Sequence, residues 1–109
     1  NIGIFMDITV EKLNEMRENG EAHTLLDVRE DNELSIANID GVLHIPMNSV
    51  PLRIDELPSD HPLIVMCHSG MRSAQVQAWL AENGFENTLN LAGGIDAWSE
   101  RIDQSVPKY

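Results

Sequence analysis

Residues 62–84 read PLIVMCHSGMRSAQVQAWLAENG, an apolar run followed by a short polar loop and a longer amphipathic run. PLIVM is apolar throughout, which is typical of a parallel strand that is covered on both faces. RSAQVQAWLAENG predicts a helix, because its apolar residues recur at helical spacing and Gly84 supplies a stop signal. Cys67, the only cysteine, lies where the strand ends. This stretch therefore predicts a strand, a loop that carries the thiol, and a helix.

A second segment, TVEKLNEMRENG, also predicts an amphipathic helix, which Thr9 caps and Gly20 ends. The apolar residues on its inward face are Val10, Leu13 and Met16. In the helix of RSAQVQAWLAENG, we expect the inward face to consist of Ala74, Ala78 and either Trp79 or Leu80.

Further short runs predict strands. A strand at residues 4–6 is followed by TLLDV, by VLHI, which Pro46 closes, and by TLNL. Strands that alternate with helices at this spacing are typical of an α/β fold, in which an open parallel sheet carries helices on both faces. Ligands of such sheets bind beyond the carboxyl ends of the strands, where Cys67 lies. Because no repeat or linker composition divides the chain, we predict a single domain over residues 1–109.

The single cysteine excludes an internal disulfide, a Cys-x-x-Cys redox pair and a zinc site built on two or more thiolates. No apolar stretch approaches the roughly 20 residues that span a bilayer, and NIGIFMDITV lacks the basic and apolar regions of a signal peptide. We therefore expect a cytoplasmic protein whose thiol stays reduced. His23, His44 and His61 show no ligand spacing with one another or with Cys67, so no metal site is predicted. No cofactor is expected either.

The charge of the chain bears on its partners. Eighteen acidic and seven basic residues give a formal net charge of -11. Such a surface repels nucleic acid and anionic lipid, and we expect neither as a partner. The acidic residues are interspersed along the chain, which is typical of a solvated surface.

The loop after the apolar run has the composition of a nucleophile site. A chain that leaves a strand and enters a helix presents several unpaired N–H groups to a common centre, where an anion is stabilised. Together with Arg72, such surroundings lower the pKa of Cys67. Gly70 permits a tight turn, while Ser69 and Ser73 supply hydroxyl groups. The alternative is a cysteine that only packs as a small apolar residue, and the flanking polar residues disfavour it.

Four motifs in order resemble the single-domain rhodaneses, the thiosulfate sulfurtransferase family. CHSGMRS at residues 67–73 is similar to the family's active loop, Cys-x-x-Gly-x-Arg-Ser. The other matches are LLDVRE at 25–30, IDGVLHIPM at 39–47 and LAGGIDAW at 91–98. One departure is Asn38, where the family commonly has His, and it leaves a packing or hydrogen-bonding role open.

The resemblance implies a rhodanese-like fold and a sulfur transfer in which Cys67 carries a persulfide. A small anionic donor such as thiosulfate would bind the rest of the loop: His68, Ser69, Gly70, Met71, Arg72 and Ser73. Arg72 would attract the donor, Ser73 would open the helix, and His68 would line the entrance. Asp27 and Arg29 would form a buried supporting pair near the loop, or Asp27 would only cap the following turn.

The loop length favours sulfur transfer over phosphate chemistry. Cys67 and Arg72 form Cys-x4-Arg, whereas the related phosphatases and arsenate reductases have one more residue. A narrower loop suits one terminal sulfur better than a tetrahedral phosphate. A thiosulfate sulfurtransferase with a thiol or cyanide acceptor is therefore the first hypothesis, a persulfide-relay or protein-binding module the second, and a small phosphatase or arsenate reductase the third.

Two further expectations concern packing. Trp79 and Trp98 fall in helical apolar patterns and are expected to be core or helix-packing residues. The last residues, VPKY, are expected to tie the end of the chain back onto the domain.

Overall fold

The computed structural model describes residues 6–109, and its strands form one parallel sheet. The strands are β1 (Asp7–Ile8), β2 (Thr24–Asp27), β3 (Leu43–His44), β4 (Leu63–Met66) and β5 (Thr88–Leu91). Their order in the sheet is β1-β5-β4-β2-β3. All four pairings between neighbouring strands are parallel. The predicted α/β fold with an open parallel sheet is confirmed. The single domain over residues 1–109 stays a prediction.

Within residues 6–109, three helices and a 3₁₀ segment connect these strands, and a fourth helix follows the last strand. They are α1 (Val10–Glu18), α2 (Asp31–Ile36), the 3₁₀ segment (Met47–Glu56), α3 (Met71–Glu82) and α4 (Gly94–Arg101). Thr9 caps α1 as predicted, because its hydroxyl oxygen accepts a hydrogen bond from the Lys12 N–H at 3.1 Å. Among residues 6–109, no helix is long and apolar enough to cross a membrane.

The helices cover both faces of the sheet, as its apolar central strand requires. Ile64 and Met66 of β4 point into one core with α1 and α4, whereas Leu63 and Val65 point into a second core with α3 and the 3₁₀ segment. Burial of one such side chain contributes roughly 1.5–3 kcal/mol to the transfer free energy. Both cores therefore hold β4 at the centre of the fold and fix the position where it ends.

The inward face of α3 differs from the prediction. Its buried residues are Ser73, Val76, Gln77 and Leu80, whereas Ala74 and Ala78 are only half-buried. Two polar side chains can face inward because β5 offers polar partners, Thr88 to Gln77 and Asn90 to Ser73. This polar strip between α3 and β5 reaches the loop that carries Cys67.

Three smaller expectations have mixed outcomes. Trp98 is buried as predicted, but Trp79 is 36% exposed at the rim of a groove, so its assignment as a packing residue was only partly right. The predicted strand at 4–6 falls largely on Ile4 and Phe5, which lie outside the described residues. The strand found there begins at Asp7.

The start of α4 packs directly against the loop that follows β4. The N–H groups of Ile95 and Asp96 donate hydrogen bonds of 3.0 Å to the carbonyl oxygens of Cys67 and His68. A β-carbon on Gly94 would lie 2.5 Å from both of these oxygens, and Gly94 has a φ of +59°. The LAGG sequence is thus needed for the close approach of a helix to the loop.

Gly94→Ala tests this approach, with Gly20→Ala as its control. Gly20 also has a positive φ, +66°, but no heavy atom lies within 4 Å of its position for a β-carbon. We expect Gly20→Ala to lower the free energy of unfolding by about 1–2 kcal/mol, the cost of a left-handed L-residue. Gly94→Ala should lower it by clearly more in urea unfolding, because the loop must also move. Equal losses in the two variants would contradict a packing role for Gly94.

Candidate active site

Cys67 is the first residue after β4, and only 1% of its surface is exposed. The Gly70 N–H donates to its sulfur at 3.1 Å, and Ser73 Oγ lies 3.2 Å from the same atom. These groups converge on Sγ because the carbonyls of Cys67 and His68 are turned away toward α4. The loop is therefore built around the sulfur atom.

The thiol is adapted to ionise despite its burial. Burial alone disfavours the thiolate, but hydrogen bonds from the Ser73 hydroxyl and from the N–H groups of Ser73, Gly70 and Ser69 lower the pKa of Cys67 below its ordinary value. A lower pKa gives more thiolate at neutral pH, and the thiolate is the nucleophilic form.

Helix α3 begins differently from the prediction. Gly70 precedes its first residue with a φ of +105°, and Ser73 is the third helical residue. The expectation that Ser73 opens the helix was therefore wrong, because the loop needs Gly70 at the left-handed position that the helix start requires. Ser73 instead faces inward to Cys67 and β5.

Arg72 has a partner that the sequence did not indicate. Its guanidinium donates two hydrogen bonds to the Glu33 carboxylate, at 2.7 and 2.9 Å. The Arg72 bonds lower the pKa of Glu33 to about 2, so the carboxylate is ionised at neutral pH. The positive charge next to the loop is thus matched by a negative one.

Tyr109 connects this ion pair to a second one. Its hydroxyl donates to Glu33 at 2.8 Å and accepts a hydrogen bond from Arg29 Nη1 at 3.0 Å. Its ring stacks on His68, with centroids 4.0 Å apart and planes at 9°. The expectation that the end of the chain ties back onto the domain is confirmed.

The Asp27–Arg29 pair combines both predicted arrangements. Arg29 donates from Nε and Nη2 to the Asp27 carboxylate, with 2.8 Å between Nη2 and Oδ2, and both side chains are buried. The Arg29 N–H also donates to Asp27 Oδ1 at 3.0 Å, so the same carboxylate caps the turn after β2. Arg29 Nη2 further donates to the carbonyl of Ala37 at 2.9 Å.

The remaining loop residues surround an open cleft. Ser69 and Met71 are exposed, and Met71 has 75% of its surface accessible. A cleft of about 450 Å³ runs along the loop from these residues to Asp7 and Asn90. Asn38 lies elsewhere, on a separate cleft of about 300 Å³ that Arg17 and Trp98 also line. Asn90 was not predicted as a site residue, although a polar residue within the run TLNL was a usable signal.

The histidines outside the loop have local partners. His44 Nε2 lies 2.7 Å from the carbonyl oxygen of Arg29, and His61 Nε2 lies 2.7 Å from the Thr24 hydroxyl. Across residues 6–109, no group of three or more His, Cys, Asp or Glu side chains is arranged to hold a metal ion.

Comparison with known proteins agrees with the motifs and the fold. The family model for the rhodanese-like domain matches residues 9–101. A sulfurtransferase of Allochromatium vinosum is 37% identical over 93 residues, which cover 85% of this chain and 87% of that protein. The thiosulfate sulfurtransferase GlpE of Actinobacillus succinogenes is 35% identical over 94 residues, with coverages of 86% and 84%.

A solved structure gives the same result. The crystal structure of a rhodanese-like domain protein from Staphylococcus aureus superimposes with a TM-score of 0.83 at 27% sequence identity. The superposition covers 96% of this chain and 99% of the Staphylococcus aureus chain. These similarities support a function in sulfur transfer, with a sulfur donor and an acceptor as substrates. With its active loop, its sheet and its relatives in agreement, the chain belongs to the family of rhodanese-like domains.

Proposed function

We propose that the chain moves a sulfane sulfur from a small anionic donor such as thiosulfate to a thiol or cyanide acceptor, by way of a persulfide on Cys67. The observation that carries the proposal is the set of hydrogen bonds on one sulfur atom, from the Gly70 N–H at 3.1 Å and the Ser73 hydroxyl at 3.2 Å. Such donors stabilise negative charge on sulfur, which the reaction forms and consumes.

In the first half-reaction, the Cys67 thiolate attacks the outer sulfur of thiosulfate. A new sulfur–sulfur bond forms, the bond inside thiosulfate breaks, and sulfite leaves with the electron pair. In the second half-reaction, cyanide or a thiolate attacks the outer sulfur of the persulfide. The products are thiocyanate or a new persulfide, and the Cys67 thiolate is regenerated.

The loop residues have separate roles in this proposal. The N–H groups of residues 69–73 would hold the anionic outer sulfur, Arg72 would face the approaching donor, and His68 and Met71 would form the rim. Asp27 and Arg29 would support the loop from a distance, because Arg29 hydrogen-bonds to Tyr109, which in turn contacts His68 and Glu33.

A relay to or from a partner protein is the second candidate. The position of Glu33 favours this candidate. The Glu33 carboxylate accepts two hydrogen bonds from Arg72 and thereby reduces the attraction of Arg72 for a small dianion. The exposed Met71 next to the loop offers a contact to a protein surface. Phosphate chemistry ranks third, because Cys-x4-Arg leaves a shorter loop around the nucleophile.

Sulfur loading of Cys67 tests the proposed function. After incubation with thiosulfate, we expect the intact mass to rise by one sulfur atom and cyanide to remove the gain. Because the pKa of Cys67 is lowered, loading should already be substantial at neutral pH and should fall as the pH drops below that pKa. Cys67→Ser should abolish the gain, since a hydroxyl is a far weaker nucleophile.

A double variant, Cys67→Ser with Ser59→Cys, is the control. It keeps one cysteine but places it at an exposed position outside the loop. We expect no cyanide-removable sulfur on this thiol, since it lacks the loop donors. Equal loading of the displaced thiol, or no loading of the wild type by any sulfane donor, would refute the proposed function.

Glu33→Gln tests the charge balance of the site. Loss of the carboxylate charge leaves the charge of Arg72 unbalanced. We therefore expect kcat/KM for thiosulfate to rise roughly fivefold relative to kcat/KM for a neutral sulfur donor. This factor corresponds to the free energy of a partly exposed ion pair. Glu56→Gln is the control, because Glu56 accepts two similar bonds from Arg53, and that ion pair lies on the exposed side of the 3₁₀ segment. If kcat/KM instead fell equally for thiosulfate and for the neutral donor, Glu33 would serve to hold Arg72 in place.

A further inference from the structure

Ser73 Oγ lies between two acceptors inside the polar strip of α3 and β5. It is 3.2 Å from Cys67 Sγ and 2.6 Å from Asn90 Oδ1. All three residues are buried, and Asn90 has only 5% of its surface exposed. Asn90 has no part in the predicted loop, and it does not touch the sulfur by any hydrogen bond described for residues 6–109.

The orientation of the Asn90 carboxamide is fixed by its other end. Nδ2 donates to Asp7 Oδ1 at 3.1 Å and to the Gly70 carbonyl oxygen at 3.3 Å. Both partners are acceptors, so they select the NH₂ group and leave the carboxamide oxygen facing Ser73. The side chain therefore presents an acceptor, and no donor, to the hydroxyl.

The hydroxyl of Ser73 carries one proton, and the protonation of Cys67 decides which acceptor receives it. When Cys67 is a thiol, its S–H donates to Ser73 Oγ and the hydroxyl donates to Asn90. When Cys67 is a thiolate, the sulfur and the carboxamide oxygen are both acceptors for that one proton. The short distance of 2.6 Å favours the bond to Asn90.

We propose that Asn90 is a positioning residue that sets the reactivity of Cys67 by competing with its sulfur for the single hydroxyl proton of Ser73. The inference rests on Cys67 as the reactive thiol of the proposed function. The hydroxyl then changes partner during turnover: in the thiolate its proton is shared between Sγ and Asn90, and it donates to Asn90 alone once Sγ is bonded to the transferred sulfur and is neutral. The competition stabilises the loaded enzyme relative to the free thiolate.

Charged groups on the surrounding elements also act on the thiolate. Arg72 on α3 attracts it, and His68 follows it within the loop. Other charged residues near the loop are Asp96 on α4, Asp27 at the end of β2, Arg29 after that strand, Glu33 on α2 and Asp7 on β1. A substitution at Asn90 alters none of these residues, although Asp7 loses a hydrogen-bond donor. A test must therefore distinguish an effect on Cys67 that acts through the Ser73 hydroxyl from one that acts through Asp7.

Asn90→Leu removes the competing acceptor at similar volume. We expect it to lower the pKa of Cys67 by roughly one unit, because the hydroxyl is then free to donate to the thiolate. The measurement is the rate of alkylation by iodoacetamide as a function of pH, followed by intact mass. The chain has one cysteine, so no other thiol contributes. Asn90→Val is a second variant that lacks the acceptor, and valine is well suited to a β-strand.

The effect of Asn90→Leu is compared in two proteins, one with Ser73 and one with Ser73→Ala. If Asn90 acts through the hydroxyl, then Asn90→Leu should shift the pKa of Cys67 in the Ser73 protein and should leave it unchanged in Ser73→Ala. Gln77→Leu is the matched control, because Gln77 lies in the same buried strip but contacts Thr88. No shift on Asn90→Leu, the same shift in both backgrounds, or the same shift from Gln77→Leu would overturn the proposal.

An infrared measurement tests the proton order without any change at Asn90. At a pH below the pKa of the thiol, the S–H stretch should move to higher frequency in Ser73→Ala, since the thiol loses its acceptor. An unchanged band would overturn the proposal. Neither experiment requires sulfur transfer, so a protein that fails to load sulfur from any donor refutes the proposed function but leaves the competition for the proton testable.

Discussion

Two backbone hydrogen bonds, from the N–H groups of Ile95 and Asp96 to the carbonyls of Cys67 and His68, hold the loop in the form on which the site depends. Because these carbonyls point toward α4, the next N–H groups can point at the sulfur. The approach is possible only where Gly94 has no β-carbon. A glycine pair 26 residues or more along the chain from Cys67 is therefore as much a part of the nucleophile's environment as the residues next to it.

The charges near the loop are arranged as a connected series. Asp27 binds Arg29, Arg29 and Glu33 share the Tyr109 hydroxyl, and Glu33 binds Arg72. Each guanidinium has a carboxylate partner, so the attraction for an anion at the sulfur rests on oriented N–H and O–H groups more than on net charge. Such an arrangement suits a charge that appears on one atom and disappears again, because the donors keep their geometry throughout.

Strands β2 to β5, α1 and the loop could be predicted because their signals are local: apolar runs, the Thr9 cap, and a thiol next to Gly and Ser. The partners within the site could not, since Glu33 lies 39 residues from Arg72 and 76 from Tyr109, and no periodicity encodes such pairs. The face of α3 was predicted correctly only at Leu80, because apolar spacing gave no reason to bury Ser73. That reason lies on β5, where Asn90 supplies a partner.

The outer strands β1 and β3 are each two residues long, whereas the three strands between them have four. A strand edge of this length offers few free N–H and C=O groups to another chain. The continuous apolar strand β4 would otherwise be a hazard, because segments of this kind pair with copies of themselves when exposed. The short outer strands therefore leave the sheet little edge on which a second chain could pair.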